Sequence, residues 1–265
     1  MNPDPSWAAL VEENLIAYFQ HIARARPSGR LAELDGVLIA SAGTRFHMFN
    51  AAFLSRPVGG GEPEFLSKIA TAGEWLGGAG QGWAFWLCED KSRVGSASRL
   101  RALFRQQGME FAYRHPGMAA RALRPADSAP GGLTIRPVNT RETRAAFSHI
   151  NAVAFRAPFE WCRELYDIEE LWGGDLAGWV GYRNGTAVSS ASALIHGGAA
   201  GLYAVATLPE FERQGFGEAM VRHAVQWAAE ERGAKISVLQ STREGEKLYH
   251  RLGYQTVTHF SVFTS

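Results

Sequence analysis

The second half of the chain shows a clear pattern of hydrophobic and polar positions. Short apolar or alternating runs predict strands, and apolar residues at helical spacing that end at glycine predict helices. The predicted order is β-α-α-β-β-β-α-β-α-β, with strands at 133–138, 176–182, 186–195, 199–207, 235–240 and 254–263, and helices at 141–153, 217–233 and up to 252. Asn184-Gly185 predicts a two-residue hairpin turn, and Ser241 with Glu244 predicts a capping box for the last helix, which Gly253 ends. This order predicts a mixed sheet with helices on its faces.

The first half has weaker signals. They predict helices at 14–25, 63–76 and 98–107, and strands at 37–42, 45–54 and 83–87. An internal echo links the two halves, because 103–109 and 248–254 share the spacing of Leu, an aromatic residue and Gly, each after an apolar strand. The first segment has Phe104 where the second has Tyr249. We interpret the halves as two copies of one unit.

A segment rich in Pro, Gly and small residues separates these halves. It covers 125–132 and has the composition of a linker. The sequence therefore predicts a first domain at 1–124, a linker at 125–132 and a second domain at 133–265.

Composition limits the classes of function. The chain has 265 residues, 46% hydrophobic and 20% charged, which is typical of a globular protein. A net charge of +1 gives no electrostatic reason to expect a nucleic-acid partner. No run approaches the roughly 18 apolar residues of a membrane span, and 1–7 does not have the pattern of a signal peptide. We therefore expect no membrane partner and a cytoplasmic location.

Cysteine and histidine usage gives two further expectations. Cys88 and Cys162 are the two cysteines, which does not imply a disulfide framework and favours a reducing compartment. His and Cys never cluster at the spacing of metal ligands, so we expect no metal.

The most informative motif is the Gly-x-Gly loop at Gly215 and Gly217, directly before a predicted helix. The first backbone N–H groups of a helix have no partner within it, and that end carries partial positive charge, so the loop predicts an anion site, most often for phosphate. A P-loop nucleotide site needs Gly-Lys-Ser/Thr, which is absent from the sequence. A dinucleotide fingerprint needs a third Gly where Met220 stands and an acidic residue where Gln240 stands. The glycine cluster at 78–82 precedes a strand rather than following one, so we interpret it as a plain loop.

From Leu202 to Tyr254 the chain resembles the GNAT superfamily of acyl-CoA-dependent N-acyltransferases. The resemblance rests on Leu208-Pro209-Glu210-Phe211, Arg213-Gln214-Gly215-Phe216-Gly217, the helix to Gly233, the next strand and Leu248-Tyr249-His250-Arg251-Leu252-Gly253-Tyr254. The upstream strand order also fits, and the first half looks like a degenerate copy. The implied fold is α/β (α+β), with two GNAT-like units in tandem. Each unit would have a mixed, mostly antiparallel, twisted sheet flanked by helices.

The resemblance implies a site for acetyl-CoA or another acyl-CoA. Backbone N–H groups from Gln214 to Ala219 would hold the pyrophosphate, and the pantetheine arm would lie along 204–207. An N–H near Val205 or Ala206 would bind the thioester carbonyl and its oxyanion. Tyr249 stands at the position of the family's general acid. The cofactor-binding residues that the resemblance implies are Ala204, Val205, Ala206, Arg213, Gln214, Gly215, Phe216, Gly217, Glu218, Ala219 and Thr242.

The chain departs from the family pattern at two positions. Glu212 stands where the family has Arg or Gln, three residues before the first Gly, and Thr242 stands where it often has Asn, seven residues before the Tyr. The general base is open: the candidates include Glu160, His196, Glu210 and Glu212, and the resemblance also allows ordered water in this role. Four aromatic residues are predicted to line a core or the wall of the acceptor cleft: Phe155, Phe159, Trp161 and Trp172.

These observations support an enzyme that moves a short acyl group from acyl-CoA to a primary amine of a small molecule or peptide. The alternative is a non-catalytic acyl-CoA sensor or scaffold, and a nucleotide-binding protein is weaker because the lysine and the third glycine are missing. The resemblance leaves the state of assembly open between monomer and homodimer, and a tandem copy favours the monomer.

Overall fold

The computed structural model describes residues 6–78, 80–92, 94–126 and 130–265. Three expectations fall partly outside these ranges: the absence of a signal peptide at 1–7, the glycine cluster at 78–82 and the linker at 125–132. Among the residues described, no helix combines the length and the apolar character that crossing a membrane requires.

The described residues form seven α-helices and eleven strands. The helices are α1 Ser6–Arg24, α2 Gly61–Gly77, α3 Ala97–Gln106, α4 Arg141–Ala154, α5 Phe159–Tyr166, α6 Phe216–Arg232 and α7 Glu246–Leu252. The strands are β1 Arg30–Leu34, β2 Val37–Ser41, β3 Asn50–Leu54, β4 Ala84–Cys88, β5 Glu110–Ala120, β6 Leu133–Pro137, β7 Leu176–Arg183, β8 Thr186–His196, β9 Ala199–Thr207, β10 Ile236–Gln240 and β11 Gln255–Thr264. Short 3-10 helices lie at His47–Phe49, Glu89–Lys91, Glu169–Leu171 and Pro209–Phe211.

The structure confirms the predicted element order of the second half, from β6 to β11. Asn184 and Gly185 both have positive φ, 51° and 82°, as the predicted hairpin turn requires. The predicted capping box is wrong, because α7 begins at Glu246 and the Ser241 hydroxyl donates to the carbonyl of Thr242. In the first half, α1 begins earlier than predicted, and the strands β1 and β5 were not predicted.

The chain divides into two compact units. Unit 1 consists of the residues up to Tyr18 together with Met118–Val257, and unit 2 consists of Phe19–Gly117 and Thr258–Ser265. The division falls inside α1, β5 and β11, so it differs from the boundary expected at 125–132. The expected boundary separates the two proposed copies of one unit, and it stays a prediction.

Unit 1 is built on a mostly antiparallel sheet with strand order β10-β9-β8-β7-β6. The neighbours from β9 to β6 are antiparallel, whereas β10 runs parallel to β9. A buried cluster combines Trp179 of the sheet with Met220 and Val221 of α6 and Tyr249 of α7. Helices therefore flank a sheet whose apolar face forms the core.

Unit 2 repeats this arrangement, with strand order β1-β2-β3-β4-β11 and parallel pairing between β3 and β4. Its core joins α2 and α3 to the sheet, and the Phe104 ring stacks on Phe263 with centroids 3.6 Å apart. The expected fold class, a mixed α/β architecture with mostly antiparallel sheets, is confirmed in both units.

Candidate active site

A β-bulge in β9 marks the first part of the candidate site. Ser192 pairs with Tyr203 and Ser190 pairs with Ala206, so two residues of β9, Ala204 and Val205, lie opposite one residue of β8. Ala204 adopts the left-handed region, with φ of 50°, and its carbonyl accepts a hydrogen bond from the Ser190 hydroxyl at 3.0 Å. The bulge therefore breaks the regular alternation of backbone groups along β9.

The strand β9 parts from its other neighbour before the bulge. Its parallel pairing with β10 joins Ala199–Gly201 to Ile236–Val238. The segment from Ala204 to Thr207 lies beyond that register, and Ala204 and Val205 are partly exposed. This edge of β9 can therefore receive a ligand that pairs with its backbone.

The entrance of α6 forms the second part of the site. Gly215 is the N-cap residue, with φ of 86°, and the non-glycine residue Arg213 also has positive φ, 59°. The hydrogen-bond ladder of the helix begins when the Ala219 N–H donates to the Gly215 carbonyl at 3.0 Å. The amide of Ala219 is thus engaged, and the N–H groups of residues 216–218 are those that precede the ladder.

The glycine at 217 brings this entrance close to two other elements. A Cβ atom at Gly217 would lie 3.3 Å from Thr207 Oγ1, at the end of β9, and 3.9 Å from Leu248 Cδ2, on α7. A side chain at this position would crowd Thr207. The loop, the end of β9 and the start of α7 therefore meet at one place.

Polar and positive side chains lie near the loop, in addition to the carboxylate of Glu212. Glu212 is exposed. The Gln214 side chain accepts from Arg183 at 2.6 Å and donates to the Glu210 carbonyl at 3.0 Å. The Arg183 guanidinium also lies 5.6 Å from the ring centroid of Phe216. Arg183 carries no signal in the sequence, because only the folded hairpin brings the end of β7 to this loop.

A second carboxylate in the first turn of α6 is held by arginines. One oxygen of Glu218 accepts from Arg222 at 3.0 and 2.8 Å, and the other lies 3.4 Å from Arg251. These cations reduce the repulsion that Glu218 would exert on a bound anion.

Tyr249 lies in the buried cluster of unit 1 and is 8% exposed. Its ring meets Tyr254 edge-on with centroids 5.5 Å apart. Burial raises the pKa of the Tyr249 phenol well above its usual range. Tyr249 is therefore protonated at neutral pH and able to donate a hydrogen bond.

Thr242 serves the turn before α7. Its hydroxyl accepts from the Gly245 N–H at 3.2 Å, and its carbonyl accepts from Glu246 N–H at 3.1 Å. The side chain thus orders the connection that leads to Tyr249.

The four base candidates lie in different places. His196 is at the hairpin between β8 and β9, paired with Ala199, so about 20 Å of strand separates it from Val205 at roughly 3.3 Å per residue. Glu160 forms an exposed ion pair with Arg163 at 2.7 Å. Glu210 and Glu212 flank the loop and are exposed.

The predicted aromatic residues divide into two groups. Trp172 is partly buried and packs against the interior: its ring meets Phe147 at 4.9 Å, and its indole N–H donates to the Tyr166 carbonyl at 2.9 Å. Trp161, on α5, is also partly buried. Phe155 and Phe159, at the junction of α4 and α5, are 47% and 41% exposed. The prediction of a core residue therefore applies to Trp172, whereas Phe155 and Phe159 are exposed enough to contact a ligand.

Two negative findings concern cysteine and metal. Cys88 and Cys162 are both buried, and neither forms a disulfide. Within the described ranges, no group of three or more His, Cys, Asp and Glu side chains could hold a metal ion.

Comparison with known proteins links this geometry to a family. Residues 144–254 match the family model described as "Acetyltransferase (GNAT) family". No curated protein matches the sequence.

Solved structures share the architecture over nearly the whole chain. A GCN5-related N-acetyltransferase from Kribbella flavida has a TM-score of 0.72 at 20% identity, with 97% of this chain and 95% of that chain covered. The corresponding protein from Sphaerobacter thermophilus has a TM-score of 0.60 at 16% identity, covering 99% and 93%. A tandem GNAT protein from the clavulanic acid biosynthesis pathway has a TM-score of 0.56 at 10% identity, covering 91% and 84%. At these identities the likeness shows a common fold.

Proposed function

We propose that this protein transfers an acetyl or other short acyl group from acyl-CoA to a primary amine. The match of residues 144–254 to the GNAT acetyltransferase family model supports this proposal. The observation that carries the proposal is the meeting of three elements at Gly217: the end of β9 at Thr207, the entrance of α6, and Leu248 on α7, beside Tyr249. An anion site, an exposed strand edge and a protonated phenol would then serve one ligand.

The entrance of α6 is the proposed site for the pyrophosphate. The N–H groups of residues 216–218 precede the helical ladder and carry the positive end of the helix dipole. Gln214, Arg213 and Arg183 would add polar and positive groups around it. The exposed carboxylate of Glu212 is free to point into solvent.

The edge of β9 is the proposed site for the pantetheine arm and the thioester. Residues 204–207 lie beyond the pairing with β10, so their backbone would bind the arm. The N–H of Val205, the second residue of the bulge, would donate to the thioester carbonyl. As the amine attacks, this oxygen gains negative charge, and the same N–H would stabilise it.

The proposed reaction exchanges a C–S bond for a C–N bond. The amine nitrogen adds to the thioester carbon, the intermediate collapses with loss of the CoA thiolate, and the amine loses one proton to solvent. Tyr249 would donate its proton to the thiolate and be reprotonated from solvent. Holding both reactants in one cleft supplies a large part of the rate.

The exposed aromatic pair gives a proposal for the acceptor. Phe155 follows Asn151 by one helical turn, and its N–H donates to the Asn151 carbonyl at 3.0 Å. Asn151 in turn contacts Ser190, which bonds the bulge at Ala204. Phe155 thus lies about one helical turn from the residues that support the bulge, so we propose an acceptor amine that carries an apolar or aromatic group.

The tandem arrangement is a further proposal. Each half of the sequence has a helix, a glycine with positive φ and a strand in succession: α3, Gly108 at 72° and β5, then α7, Gly253 at 104° and β11. Two copies in one chain would favour a monomer, with a homodimer as the alternative. Two buried cysteines that form no disulfide suit a cytoplasmic protein, which we also propose.

Two measurements test the proposed function. Acetyl-CoA at 100 times its dissociation constant should add about 2.7 kcal/mol to the stability of the fold, which a thermal shift would report. Thiol release with a panel of amines should then detect turnover, with lower KM for apolar amines than for polar ones. Binding without turnover would support a sensor, and no shift with any acyl-CoA would exclude both functions.

A variant tests the acceptor proposal separately. Phe155→Ser should raise the KM of apolar amines about three- to tenfold, because apolar contact area is lost. The KM of a small polar amine serves as the internal control and should not change. Equal effects on both amines would contradict an apolar acceptor site.

A further inference from the structure

We propose that Ser190 and Asn151 are positioning residues, which fix the peptide unit between Ala204 and Val205 so that the Val205 N–H faces the thioester. The inference rests on the proposed function, because it names the residues that prepare the proposed oxyanion donor. Neither residue would touch acyl-CoA itself.

The two side chains form a directed chain of hydrogen bonds. The Asn151 amide nitrogen donates to the Phe147 carbonyl at 2.8 Å and to the Ser190 hydroxyl at 3.1 Å. The Ser190 hydroxyl donates to the Ala204 carbonyl at 3.0 Å. Ser190 and Asn151 are 0% and 1% exposed, so water does not compete for these bonds.

The direction of each bond follows from its partners. A carbonyl can only accept, so the Asn151 group that faces Phe147 must be the amide nitrogen. Asn151 therefore donates to Ser190 as well, and the single hydroxyl proton of Ser190 remains for the Ala204 carbonyl. Asn151 sets the rotation of the Ser190 hydroxyl, and Ser190 sets the rotation of the peptide.

The Ser190 hydrogen bond acts at Ala204, a residue whose backbone conformation is unfavourable. Ala204 has φ of 50°, a region that glycine adopts readily. Residues with a Cβ atom, other than asparagine and aspartate, rarely adopt it. Such conformations persist only where the surroundings determine them. The Ser190 bond to the Ala204 carbonyl is a contact that favours this conformation over an extended strand.

The carbonyl bond also sets the direction of the next N–H. In a trans peptide unit the C=O and the N–H point in opposite directions. Because the Ala204 carbonyl is held by Ser190, the Val205 N–H points away from Ser190. This N–H lies on the part of β9 that is beyond the pairing with β10, where the proposed thioester would bind.

Ser192 provides a matched control two residues away. It is 1% exposed, and its hydroxyl donates to the Tyr203 carbonyl at 2.9 Å. It belongs to the same strand and makes the same kind of bond, but it holds the peptide unit before Ala204. Its loss should therefore cost a bond of the same kind without releasing the Val205 N–H.

The experiment compares Ser190→Ala, Ser190→Thr and Ser192→Ala in the full chain. Ser190→Ala should lower kcat about 10- to 100-fold, as expected when a group that orients a reactive one is lost. Its KM for acetyl-CoA should stay within about threefold of wild type, because the pyrophosphate contacts remain. Ser190→Thr keeps the hydroxyl and should restore most of kcat, and Ser192→Ala should keep it. Equal losses of kcat in Ser190→Ala and Ser192→Ala, or an unchanged kcat in Ser190→Ala, would overturn the positioning role.

A second measurement does not depend on turnover. Amide hydrogen exchange should be faster at Val205 in Ser190→Ala than in wild type, with a smaller change in Ser192→Ala. If the wild-type protein transfers no acyl group, the proposed function fails, and the exchange data alone decide whether Ser190 holds this peptide. Unchanged exchange at Val205 would reject the inference.

Discussion

The helices α2 and α6 both begin at glycines, but their first turns treat negative charge in opposite ways. In α2, of unit 2, the Glu64 carboxylate accepts from the Gly60 N–H, and Glu62 pairs with Arg99. In α6, of unit 1, the first-turn carboxylate of Glu218 is bound by arginines instead. The entrance of α2 therefore supplies its own anion, whereas the entrance of α6 leaves its N–H groups for a ligand.

The comparison shows that glycine before a helix is not sufficient for an anion site. The side chains of the first turn decide whether the site is filled from within. The same contrast extends to the last helix of each proposed copy, where Phe104 in unit 2 stands for Tyr249 in unit 1. Unit 2 lacks both the open entrance and the phenol that the proposed reaction uses.

The largest expected effect comes from replacing Tyr249 of unit 1 by phenylalanine, the residue type of its counterpart Phe104 in unit 2. Tyr249→Phe should lower kcat about 100-fold or more, since a general acid typically contributes this much. Steady-state kinetics with acetyl-CoA and an accepted amine would measure it. Tyr254→Phe is the matched control, because it removes a phenol that bonds Ser237 Oγ at 2.7 Å in the same cluster. Full turnover in Tyr249→Phe would sink the assigned role.

The next effect comes from filling the entrance of α6 in the manner of α2. Counted from the N-cap residues Gly60 and Gly215, Ala219 corresponds to Glu64. Ala219→Glu should weaken acyl-CoA binding about tenfold or more, because a carboxylate would compete for the N–H groups and repel the phosphates. Calorimetry would measure the dissociation constant, and Ala219→Gln controls for size. Equal dissociation constants for acyl-CoA in Ala219→Glu and Ala219→Gln would contradict the proposed role of charge at the start of α6.

A smaller effect is expected from removing the negative charge of Glu64, whose carboxylate binds the N–H group at the start of α2. Glu64→Gln should lower the free energy of unfolding by about 0.5 kcal/mol, since a favourable charge at the helix start is lost. Denaturant titration would measure this change. The affinity for acyl-CoA should stay the same and the stoichiometry should be one per chain. A second bound acyl-CoA would show that unit 2 also has a functional entrance.

The smallest expected effect concerns alkaline pH. The pKa of Tyr249 is raised by burial, so its protonated form persists above the usual phenol value of about 10. The proposed acid is active when protonated, so kcat should not decline as pH rises to about 10. A pH–rate profile at saturating substrate would test this, and a fall centred near pH 9 would contradict the assignment.

The sequence predicted the second half well because its elements have strong local signals. The hairpin at Asn184 and the helix stop at Gly253 each depend on a few adjacent residues. The strand β5 escaped prediction because it contains Arg114, His115 and Pro116, and proline disfavours a strand interior. The capping box failed because α7 begins at Glu246, with Gly245 as its N-cap residue, rather than directly after Ser241.

The candidate site was predictable only in part. The loop and Tyr249 have a linear pattern, whereas Arg183, Ser190 and Asn151 reach the site through tertiary contacts. Nothing in the spacing of these three residues along the chain signals their proximity. Tertiary structure alone reveals how the bulge is supported.

The division of β11 between the two units has a consequence for biosynthesis. Unit 2 includes Thr258–Ser265, and Phe263 stacks on Phe104 in its core, although most of that unit is translated first. Unit 2 cannot complete its sheet until β11 has left the ribosome, so we expect its folding to finish after translation of this strand. Such distant pairing slows folding and leaves the β4 edge exposed meanwhile, which gives chaperones a reason to bind the nascent chain.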